Sequence, residues 1–125
     1  MSSQHHSVLE QGDPILIITR RNFAEDVSRH FVGHIERYDL SAIRVAGYAF
    51  IYDSAHDRFI KRQQQRTRIF RLDNQIVLFV LPSDTEVASI RYEVDAEHGL
   101  TVTDGRHVKL QLLSLIHISE PTRPL

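Results

Sequence analysis

The amino-acid sequence predicts an all-β fold, and three features carry the prediction. Apolar residues recur with a period of two along residues 31–35 and 42–53. Short β-branched runs such as Ile15-Leu16-Ile17-Ile18 are bounded by turn-forming residues. Near the end, Asp104-Gly105 separates two short apolar stretches, as a hairpin turn does. There is no internal repeat, and the only biased tract is Gln63-Gln64-Gln65.

Pro14 opens the first strand, because the first residue of a strand need not donate to the ladder, and residues 15–19 continue it. Residues 20–28 are ambiguous. Phe23, Val27 and Phe31 fall at i, i+4 and i+8, so this long connection has room for one helical turn. From Arg29 the period is two: Phe31, Gly33 and Ile35 face one way and His30, Val32, His34 and Glu36 the other. Residues 42–53 give the longest strand signal, with Ile43, Val45, Gly47, Ala49 and Ile51 on one face and Tyr48, Phe50 and Tyr52 on the other. Gly47 marks a bend or bulge, the device that lets a short sheet curl. After a turn at residues 53–57, residues 59–71 return as a fourth strand, and residues 76–81 form a fifth beyond Asp73-Asn74. The fifth is apolar on both faces and needs two covers, the second being the C-terminal segment or a partner subunit. Ser83 or Asp84 is placed to cap a short helical turn ending at Ser89. Residues 91–95, 100–103 and 107–112 complete the chain as a meander, turning at Glu97-His98-Gly99 and at Asp104-Gly105.

This divides the chain into a disordered N-terminal segment, residues 1–13, a single domain, residues 14–112, and a non-native tail, residues 113–125. Residues 113–123 look like the frame translation of a sequencing adapter, which places the end of the natural reading frame near Leu112. A domain of this length buries roughly two thirds of its unfolded surface. With no cysteine, neither a disulfide framework nor a thiolate metal site is available, which suits a reducing cytosol. The run Ile15-Leu16-Ile17-Ile18 is far too short to span a bilayer, so we expect a soluble, cytoplasmic protein with no membrane partner. The formal net charge of -1 hides an asymmetry: residues 14–72 hold eleven Lys or Arg against six Asp or Glu, and residues 73–112 hold three against seven. Such a bipolar surface binds polyanions on one side, pairs head to tail with copies of itself, or provides two solvated faces.

Two stretches carry a family resemblance. Gly33, Ile35 and Asp39 followed by Ile43 and Val45, and then Phe70-Arg71-Leu72-Asp73-Asn74 followed by residues 76–82 ending in Leu81-Pro82, resemble the paired signature motifs of the Sm-like proteins, the group that includes bacterial Hfq. The resemblance covers residues 14–82, about half the chain, and implies a small bent Sm-like or SH3-like barrel to which the C-terminal meander is added. It also implies a bacterial, RNA-binding protein that assembles as a homo-oligomer by pairing the fourth and fifth strands, residues 59–71 and 76–81, between subunits. The family's RNA pocket uses an Asn early in the third strand and an Arg-Gly pair in the second motif. This chain has Ile43 and Leu72-Asp73 there, so of that pocket only Asn74 carries over.

Lys61, Arg62, Arg66, Arg68 and Arg71 concentrate positive charge along the fourth strand, with Arg29, Arg37 and Arg44 beside it. With Asn74 they are the candidate contacts to single-stranded RNA, and Tyr48, Phe50 and Tyr52 offer faces for bases. In the competing reading the arginines cover an exposed face and the aromatics pack beneath the C-terminal hairpin, since strand aromatics more often belong to cores. His30, His34 and Glu36 share a strand face. Residues four apart in a strand lie about 13 Å apart, too far for one ion to bridge, and His5-His6 lacks a positioned third ligand. No nucleophile elbow, phosphate-binding glycine loop or paired acids stand out. The expectation is a non-enzyme without catalytic residues, metal or cofactor: an RNA-binding or RNA-associated module or, alternatively, a protein-interaction or self-assembly module without nucleic-acid binding.

Overall fold

The computed structural model describes residues 8–23, 28–95 and 99–112. The disorder expected at residues 1–7, a helical turn at residues 24–27, the turn residues Glu97 and His98, and the tail of residues 113–125 lie outside the described residues. The chain is all-β. Strands β1 (Pro14–Thr19), β2 (Arg29–Tyr38), β3 (Ala42–Asp53), β4 (Arg58–Lys61), β5 (Arg66–Arg71) and β6 (Ile76–Val80) precede a 3-10 turn at Val87–Ser89. Strands β7 (Arg91–Asp95), β8 (Gly99–Thr103) and β9 (Lys109–Gln111) follow. The first six form one antiparallel sheet in the order β4-β3-β2-β1-β6, with β5 also paired to β3. The last three form a separate meander, β7-β8-β9. Neither sheet closes into a barrel: among the described residues β6 pairs with β1 alone, and β4 and β5 with β3 alone. Among the described residues no helix is long and apolar enough to cross a membrane.

The large sheet is apolar on both faces, and each face has its own core. In β1, Leu16 and Ile18 point into one cluster and Ile15 and Ile17 into the other, so all four are buried. The first cluster lies between the sheet and the meander, where Leu16, Val32 and Phe50 meet Leu100, Val102, Val108 and Leu112. The second lies inside the curl of the sheet, where Ile15, Ile17, Phe31, Ile35, Ile43 and Val45 meet Phe70 of β5. Strand β6 obeys the same rule, with Val77 and Phe79 against the first cluster and Ile76 and Leu78 against the second. The second cover of this strand is therefore the C-terminal segment of the same chain.

The curl depends on a glycine pair. Gly33 of β2 and Gly47 of β3 are register partners. A Cβ on Gly47 would overlap the Val32 carbonyl, and one on Gly33 the Ala46 carbonyl, so the two backbones come closer than any side chain allows. The ladder slips once, between Ile35 and Arg37, which adds the local bend of a bulge. Strand β3 also changes partner here. Residues up to Gly47 pair with β5 and those from Phe50 onward with β4. The fourth strand expected over residues 59–71 is accordingly two strands interrupted at residues 62–65. A straight strand cannot follow β3 around its bend, although the Arg62 N–H still reaches the Ala49 carbonyl at 2.8 Å.

The loops are fixed by backbone hydrogen bonds and by side-chain carboxylates. Before β1, the Gly12 N–H donates to the Ile35 carbonyl and the Ile35 N–H to the Asp13 carbonyl, at 2.8 and 2.9 Å. The turn before β4 holds Asp57 at φ +53°. The helical turn expected to start at Ser83 or Asp84 is only the 3-10 turn at Val87–Ser89, preceded by Glu86, which makes no side-chain cap. The Glu86 N–H is taken at 2.8 Å by Asp104, whose carboxylate also accepts the N–H groups of Arg106, His107 and Val108 at 2.9, 2.7 and 3.1 Å. Burial pushes the Asp104 carboxyl up, but these four donors outweigh it and hold it far below the usual carboxylate range. Replacing Gly47 by Ala is expected to lower stability by about 2 kcal/mol or more, because the backbone itself must move. An unchanged denaturation midpoint in G47A would contradict the proposed role of the glycine pair.

Candidate nucleic-acid interface

The bend that splits the fourth strand also divides its positive charges. Cross-strand partners share a face of a sheet. Arg68 opposes Val45 and Arg66 opposes Gly47, so both lie on the concave side with Phe70. The Arg68 guanidinium rests over the Phe70 ring at 4.9 Å and near the Phe31 ring at 5.7 Å, at the rim of the second core. Arg71 opposes Ala42 and lies on the outer side, near Asp73 at 3.9 Å. Ile69 opposes Arg44, and Arg44 opposes Arg37, so Arg37, Arg44, Ile69 and Arg71 share that outer face. Arg44 is bound by Glu36 at 3.0 Å.

The remaining candidates are placed differently. Lys61 opposes Phe50 on the face that carries the meander, and its ammonium donates to the Ala88 carbonyl of the 3-10 turn at 2.7 Å and sits 4.3 Å over the Tyr48 ring. Arg62 is exposed in the break between β4 and β5. Asn74 is exposed in the turn before β6, and its side-chain oxygen accepts a bond from Gln75 at 3.4 Å. The structure thus places Arg66 and Arg68 on the concave side of β5 and Arg62 in the break before it, while it sets Arg71 on the other face and engages Lys61 as a structural tether. Among the described residues no carboxylate pairs with Arg62, Arg66 or Arg68.

The three aromatics considered as stacking platforms belong to packing. Phe50 is buried and Tyr48 packs against the cluster beneath the meander. Tyr52 lies edge-on to Phe59 with centroids 5.4 Å apart, and its hydroxyl donates to Asp57. At the centre of this packing is a pair that no local pattern announces. His30 of β2 and Tyr92 of β7 share a hydrogen bond of 2.5 Å between the Nδ1 and the hydroxyl. Phe59 lies 4.5 Å from both rings and Phe50 4.9 Å from Tyr92. Tyr92 stands 62 residues beyond His30, and only the folded topology brings them together. His30 is 5% exposed, and burial lowers its pKa from 6.5 to about 4. Burial likewise pushes the Tyr92 phenol well above its ordinary value. His34, four residues along, is exposed, and among the described residues no cluster of three His, Asp or Glu is arranged to hold a metal.

Comparison with known proteins gives no match to the chain from a family model, a curated protein or a solved structure.

The His30 pair makes stability depend on pH with a definite sign. The unfolded chain takes up the proton near pH 6.5 and the folded chain only near pH 4, so unfolding is favoured as pH falls through that window. The contribution is fully present above pH 6.5, and about 3 kcal/mol of it is lost by pH 4. In H30F the difference in stability between pH 7 and pH 4.5 is expected to shrink, as read by urea denaturation. An identical pH dependence in the two proteins would refute the assignment.

Proposed function

We propose that the protein is a non-catalytic, RNA-associated module on an open sheet of the Sm-like or SH3-like barrel type. The observation that carries this reading is the exposed set Arg62, Arg66 and Arg68, which lacks carboxylate partners among the described residues. Guanidinium groups on β5 and in the break before it attract phosphates of a flexible single strand without reading its sequence. Arg71 and Asn74 extend the contact around the end of β5. With Phe50 buried and Tyr48 and Tyr52 half-buried in packing, little is left for base stacking, so the expected affinity is electrostatic and tolerant of sequence. A cytoplasmic location accompanies the reading.

The second reading, self-assembly, draws on the sheet edges. Among the described residues β5 and β6 each have one strand neighbour, and Ile69 and Val80 on them are 68% and 50% exposed. Unpaired edges bearing apolar side chains are templates for another chain. Edge pairing of β5 with β6 of a second copy is the contact that the Sm resemblance implies, and it is compatible with RNA on the adjoining arginines.

Fluorescence anisotropy of a labelled single-stranded RNA is expected to show saturable binding that weakens with salt. Each phosphate contact adds roughly 0.7 to the slope of log affinity against log salt. R62A/R66A/R68A should lose most of that slope, and unchanged affinity in this variant would remove the RNA reading. Light scattering tests the second reading separately: a mass equal to one chain across the micromolar range would exclude assembly.

A further inference from the structure

The acidic half of the chain contains one place where positive charge collects. The register puts Arg91 of β7 opposite Thr103 of β8, and Thr103 opposite Lys109 of β9, so Arg91 and Lys109 flank Thr103 on one face of the meander. The opposite face carries Tyr92, Val102 and Leu110 into the core, so this row faces away from it. The turn that follows β8 brings Arg106 and His107 to the same end, and all four side chains line one open concavity with Gly105 and Glu93.

The partners of these groups leave donors over. Glu93 takes only the Arg91 Nε, at 2.7 Å. The two terminal nitrogens of Arg91 lie against the Gly105 backbone, where a Cβ would come to 3.0 and 3.3 Å from them. With φ at +86°, Gly105 both makes the turn and leaves room for the guanidinium. Arg106 reaches Glu86 through one terminal nitrogen, at 3.6 Å. His107 stands 3.5 Å from Asp104 and 3.7 Å from Asp84, both longer than a hydrogen bond. Lys109 has no carboxylate partner among the described residues. Terminal guanidinium nitrogens and an ammonium that line one concavity, next to a loop held by the Asp104 carboxylate, suit the oxygens of a tetrahedral dianion.

We propose that this concavity is a binding site for a small phosphate group, free or carried on a small organic molecule. No residue of β4 or β5 takes part, so the site stands independently of the RNA reading. The test is amide chemical-shift mapping of the full chain titrated with inorganic phosphate, against potassium chloride at matched ionic strength, with adenosine monophosphate as a second arm. The expected result is a saturable perturbation confined to Arg91 and residues 103–109. R91Q/K109Q, which alters two surface side chains, should weaken it roughly tenfold, whereas R66Q/R68Q should leave it unchanged. Tighter binding of the monophosphate would assign an organic phosphate, and equal binding the free anion. Perturbations no larger than those from chloride, or undiminished in R91Q/K109Q, would overturn the proposal.

Discussion

The fold follows from one constraint: the six-stranded sheet is apolar on both faces, and water must be kept from each. Burying a Leu or Ile side chain is worth about 1.5–3 kcal/mol. Leaving only Leu16 and Ile18 of β1 uncovered would therefore forfeit roughly 3–6 kcal/mol, comparable with the whole net stability of a small domain. The molecule meets the requirement in two ways. On one face the sheet curls until Phe70 of β5 closes over Phe31, with ring centroids 5.5 Å apart. On the other, a second sheet made from the end of the chain is laid across it.

The two covers decide where polar chemistry is possible. Curling requires the close approach at Gly33 and Gly47 and breaks the outer strand at residues 62–65, which leaves Arg62 at the break and turns Arg66 and Arg68 toward the concave rim. Docking of the meander draws Lys61, Tyr48 and Phe50 inward and encloses His30 against Tyr92. The same docking needs a rigid loop beneath it, supplied by Asp104, and that loop in turn presents Arg106 and His107 beside Arg91. Charge that reads as one stripe along the chain is thus sorted by geometry into tethers, rim groups and surface groups.

What was legible in the sequence follows the range of the interactions involved. Period-two alternation is local, so the strands, the faces of β2 and β3, and the C-terminal meander are readable from residues such as Phe31, Ile35, Ile43 and Val45. Gly47 announces a bend because an isolated glycine in a strand has few other uses. The split of residues 59–71 was not legible, because the break reflects a change of pairing on β3 rather than any proline or glycine in the strand itself. The His30–Tyr92 pair and the fourfold use of Asp104 were equally hidden, since each joins elements far apart in the chain. The arginines were visible as a group, but their distribution between two faces depends on register and could not be read from composition.

Native-state hydrogen exchange at increasing denaturant tests the central claim most directly, because it asks whether the sheet and its two covers are one cooperative unit. The account predicts that the slowest amides of β1, β2 and β8 exchange through a common opening, with the same free energy and the same denaturant dependence. Exchange of β8 through a separate opening of lower free energy, while β1 and β2 stay protected, would contradict it.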